Sequence, residues 1–64
     1  MEKIYQRRLK AKLSLMECDL TAARKMLYNL ELFTVEGFRN HLTDIQKNSE
    51  DVIRLILELR SPRE

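Results

Sequence analysis

The chain has 64 residues, a formal charge of +2, 44% hydrophobic and 34% charged side chains, which allows one small domain. A chain this short buries only about 60% of its extended surface and normally needs a disulfide, a metal or an oligomer for stability. The single cysteine, Cys18, excludes an internal disulfide, the single histidine, His41, excludes a multi-histidine cage, and one glycine with one proline excludes a turn-rich β-sandwich or barrel. What remains is helix, completed by self-association or by another protein.

The chain begins with a basic segment. Residues 1–12 carry Lys3, Arg7, Arg8, Lys10 and Lys12 against Glu2 alone, a net of +4; the remaining seven basic and nine acidic residues give −2. Such a head marks Arg7, Arg8, Lys10 and Lys12 as candidate anion contacts, although a solvated first helical turn needs no ligand. No apolar leader with a small-residue cleavage site follows, and the densest apolar stretch, Val52 to Leu59, is broken by Arg54 and Glu58. A membrane span is therefore not expected. A lone thiol fits a reducing, cytoplasmic setting.

The first helical pattern places Leu9, Leu13, Met16, Leu20, Ala23, Leu27 and Leu30 at alternating spacings of four and three, an unbroken heptad seam. The second places Val35, Phe38, Leu42, Ile45, Ser49, Val52, Ile56 and Leu59 at spacings of three and four. The register slips by one residue between them. At that junction Thr34 is a good N-cap, Glu36 lies in the following first turn, and Phe33 with Phe38 occupy the staple positions. Gly37 weakens helix continuity. The expectation is all-α: an antiparallel two-helix hairpin of coiled-coil type, with helix 3–31, turn 32–34 and helix 35–60, ended by Ser61 and Pro62. Leu20 and Ile45 should then meet near its middle.

Two helices cover only one stripe of each other. On helix one, Ala11, Leu15, Cys18 and Ala22 form a second stripe, with Tyr5 and Met26 between the stripes. On helix two, Ile53, Leu55 and Leu57 make the last turns apolar almost all round. These nine residues are the expected partner-binding surface, since contiguous apolar patches mark interfaces. The partner would be another helical protein or a second copy.

Catalytic chemistry is not expected. His41 and Asp44 are three apart and can share a hydrogen bond on one helix face, but no nucleophile or third ligand joins them. A bundle di-metal motif needs Glu-x-x-His, and Phe38 stands three before His41. No glycine-rich phosphate loop, zinc spacing or cofactor motif is present. Cys18 reads as a small interface apolar.

Two family resemblances follow. Leu20-Thr21-Ala22-Ala23-Arg24-Lys25-Met26-Leu27, the short turn, the early aromatic Phe38 and Ser49-Glu50-Asp51-Val52-Ile53-Arg54-Leu55-Ile56 resemble the small helical-hairpin co-chaperones of type III secretion needle subunits, over about residues 9–60. That resemblance implies a chain that pairs with a repeat-type helical partner and keeps a needle subunit soluble before export. In size and layout alone the chain is also similar to the Rop family, whose hairpins dimerise into a four-helix bundle and bind paired RNA loops. RNA, held by the basic head beside Tyr5, is therefore the alternative partner.

Overall fold

The computed structural model describes residues 3–60. Two α-helices, α1 (Lys3–Tyr28) and α2 (Val35–Arg60), pack against each other as an all-α helical hairpin. The Cα envelope measures 54 × 18 × 11 Å. The ending expected at Ser61 and Pro62 lies outside the described residues.

α2 starts where local chemistry places it. Thr34 Oγ1 accepts the Gly37 amide at 3.0 Å, and Phe38 N donates to Thr34 O at 2.9 Å, the first helical bond. Glu36 stands in the first turn, where the helix dipole favours an acid. Phe33 and Phe38 stack with ring centroids 5.4 Å apart, closing the staple.

α1 ends earlier than expected, at Tyr28 rather than at 31. Asn29 explains the difference. Its Oδ1 accepts the Glu31 amide at 3.2 Å, a local turn that competes with helix continuation. Leu32 N then donates to Asn29 O and Phe33 N to Leu30 O, which carries the chain round to Thr34. The connection is therefore residues 29–34, and Leu30 leaves the seam for solvent.

The seam is rotated from the one expected. The buried and half-buried positions of α1 are Tyr5, Leu9, Lys12, Met16, Asp19, Ala23 and Met26, again spaced four and three, together with Ala22 beside them. Those of α2 are Phe38, His41, Ile45, Asn48, Val52, Leu55 and Leu59, flanked by Gly37, Ser49 and Asp51. Half of each expected seam survives. The other half, Leu13, Leu20 and Leu27 on α1 and Val35, Leu42 and Ile56 on α2, is exposed. Leu20 therefore does not pack as core against Ile45.

Two features pull the helices into this rotation. Near the turn, Ala23 (3% exposed) and Met26 (9%) are buried, and Gly37 lets α2 approach them: a Cβ there would lie 3.1 Å from Met26 Cε. Further along, polar pairs bridge the seam. His41 Nδ1 donates to Asp19 Oδ1 at 2.8 Å, and Lys12 Nζ donates to Asp51 Oδ2 at 2.9 Å and to Asn48 Oδ1 at 3.4 Å. Turning Leu13 and Leu20 inward would break these contacts. The partner of His41 is thus Asp19 on the other helix, not Asp44.

Candidate interaction surface

Rotation gives the hairpin two unlike broad faces. On the first, Leu13, Met16 and Leu20 of α1 line a groove with Ile45 of α2, with Glu17 at its edge. One heptad further, Leu27 continues the α1 row. Heptad geometry sets Val35, Leu42 and Ile56 beside Ile45 and Val52 on the same side. Leu13, Leu20 and Leu27 are 49%, 48% and 58% exposed, respectively. These are large side chains with no cover, in a chain whose buried core, among the described residues, is one alanine and one methionine.

The second face is charged. Arg8, Lys12, Asp51, Arg54 and Glu58 line a groove there together with Ala11 and Leu55. Lys12 and Asp51 form an ion pair at 2.9 Å, and Arg54 adds a contact to Asp51 at 3.3 Å. The hydrogen bond from Lys12 holds the Asp51 carboxyl below the ordinary aspartate range, opposed by partial desolvation and reinforced by the Lys12 and Arg54 charges.

The expected partner-binding residues do not gather on one face. Met26 is buried within the hairpin, and Tyr5 and Leu55 sit in its seam, half-buried. Their apolar bulk serves the contact between α1 and α2. Ala11, Leu15 and Cys18 are exposed and Ala22 is half-buried. Cys18 and Ala22 share a shallow groove with Ser14, Glu17, Thr21 and Lys25, and the groove surface is mainly apolar. Ile53 and Leu57 are exposed on α2. Of the candidate anion contacts, Lys12 is engaged by Asp51 and Asn48, whereas Arg7, Arg8 and Lys10 are exposed. The apolar face built from Leu13, Leu20, Leu27, Leu42 and Ile56 was missed as a surface because these residues complete a perfect heptad and so read as interior.

Among the described residues, no three His, Cys, Asp or Glu side chains cluster as metal ligands would, and neither helix is long and apolar enough to cross a membrane. No protein-family model, curated protein or solved structure matches the chain.

Proposed function

We propose that this chain is a non-enzymatic interaction module that works by laying its apolar face against the helices of a partner. The observation that carries this reading is the uncovered row Leu13, Leu20 and Leu27 beside Leu42 and Ile56. Burying one such side chain is worth about 1.5–3 kcal/mol, so covering several rivals the net stability of a small domain. Covering the face and folding securely are thus coupled, which suits a protein that acts by holding another. In its specific form the module is a cytoplasmic co-chaperone of a type III secretion needle subunit, the role implied by the resemblance of its two helices to that family. An amphipathic needle helix has the shape to lie in the groove between Leu13, Leu20 and Ile45. The RNA reading has less support, because Lys12 is tied to Asp51 and leaves four exposed basic side chains on the head, Lys3, Arg7, Arg8 and Lys10; phosphate binding draws on more.

Co-expression with needle subunits and their repeat-type helical partner tests this. A soluble complex containing this chain is expected, and Leu20→Glu should abolish it while leaving the hairpin's helicity in place. A needle subunit that aggregates equally with and without the chain removes the secretion role. Complexes that form undiminished with Leu20→Glu remove the apolar face as the working surface.

A further inference from the structure

We infer that the free chain covers its apolar face with a second copy of itself, α1 of one hairpin lying over α2 of the other. The inference rests on reading that face as an interface and names its occupant. A single partner helix would fill the groove between α1 and α2 but leave the outer rows partly bare. Exposed apolar side chains run along both helices, so the cover must itself be two helices wide. A second hairpin has that width, and it brings the same unsatisfied rows.

The heights match as well. Asp19 and His41 touch, so Leu20 and Leu42, each one residue on along antiparallel helices, stand within about 3 Å of the same height. Leu27 and Val35 flank the same turn and are also level. A two-fold axis running along the hairpin preserves height and exchanges the helices. It sets Leu20 of one copy over Leu42 of the other, and Leu27 over Val35, with all neighbouring helices antiparallel. Turning the axis across the hairpin would instead stack α1 on α1 and α2 on α2, an arrangement that the disulfide test below separates from this one. The footprint is of the right order: two 26-residue helices, each about 39 Å long, across a width of 18 Å give about 700 Å², close to the roughly 800 Å² per partner of a standard stable interface. The charged face, with Arg8, Asp51 and Arg54, stays in water.

The rim gives the dimer a salt signature. Beside the leucine rows, Arg24 of one copy comes level with Arg39 of the other, and Lys3 with Arg60. Salt screens such repulsion. Self-association should therefore hold or strengthen as salt rises, whereas capture of an acidic partner would weaken.

The test is the mass of the full-length chain in solution across concentration and salt. The expected result is a dimer that persists at high salt. Leu20→Glu should raise its dissociation constant on the order of 100-fold, the scale of a charge forced into a dehydrated contact, while Lys47→Glu, at an exposed position one heptad before Arg54 of the charged face, leaves it unchanged. For topology, Leu20→Cys chains are mixed with Leu42→Cys chains, both carrying Cys18→Ser, and oxidised. Mixed disulfides should exceed disulfides between like chains. A wild-type monomer throughout, a dimer indifferent to Leu20→Glu, or a predominance of like-chain disulfides overturns the inference. A monomer that still forms the needle complex does so while leaving the proposed function intact.

Discussion

The two broad faces of this hairpin flank the same seam, yet they have opposite characters. One carries Leu13, Leu20, Leu27, Leu42 and Ile56 to the surface. The other carries Lys12, Asp51 and Arg54, whose charges satisfy one another. Apolar burial has no preferred direction, since any stripe can be covered by any other. Ion pairs and caps are directional. In a two-helix protein with a core as small as Ala23 and Met26, a few directional contacts decide which stripe turns inward. The stronger apolar row is then left over, exposed along one face.

Neighbouring residues on the two rows break or sharpen this contrast most directly. Met26 is buried and Leu27, next in sequence, is largely exposed. In a Leu20→Glu background, which keeps copies apart, Met26→Ala should destabilise the hairpin by about 2 kcal/mol, at the low end for a truncated core side chain. Leu27→Ala in the same background should cost less than about 0.5 kcal/mol, as surface changes do. Thermal melts followed by helicity measure both. Equal losses would mean that both rows are buried and that the faces do not differ.

How much of this was legible in the sequence depends on range. The hairpin, its capped turn and the start of α2 were legible because Thr34, Glu36 and the Phe33–Phe38 pair act within a few residues of one another. The end of α1 was not, because Asn29 in a helical run reads as a tolerable helix residue until its side chain is seen on the Glu31 amide. The exposed apolar face was legible only as a surplus of apolar residues. Assigning rows to inside and outside required knowing that Asp19 reaches His41 and that Lys12 reaches Asp51, contacts made more than twenty residues away in sequence. A heptad shows which residues share a stripe and is silent about which stripe finds cover.

The turn end sets the rotation, so weakening it should blur the contrast. Thr34→Ala removes the bond to the Gly37 amide and should cost about 1 kcal/mol, the usual loss for a helix cap. Unchanged melting, with helical chemical shifts running through 29–34, would exclude the turn. Gly37→Ala is subtler. In an open helical position the change gains roughly 0.5–1 kcal/mol. Here the added Cβ would stand 2.7 Å from Thr34 Oγ1, a hydroxyl already committed to the cap, and 3.1 Å from Met26 Cε. The gain should be cancelled and the midpoint unchanged or lower. A rise of about 5 °C, the full value of such a gain in a small domain, would show that the helices do not need this close approach.

The smallest expected effect belongs to the charged face. Lys12 and Asp51 are each one-third exposed, so their bond orients the helices more than it stabilises them. Its signature is therefore pH dependence. The folded state holds the Asp51 carboxyl below its ordinary range, chiefly through the Lys12 hydrogen bond. A depressed carboxyl adds stability above its unfolded value and loses it as pH falls through the folded value. Acidification through the lower carboxylate range should weaken the wild-type hairpin, and Asp51→Asn should flatten that part of the profile. Lys12→Met should flatten it similarly, because it removes the main cause of the depression. Identical acid profiles for wild type and Asp51→Asn would show that the pair exerts no hold on the seam. The choice of inward row would then rest on the Asp19–His41 contact and the tight packing of Ala23, Met26 and Gly37 alone.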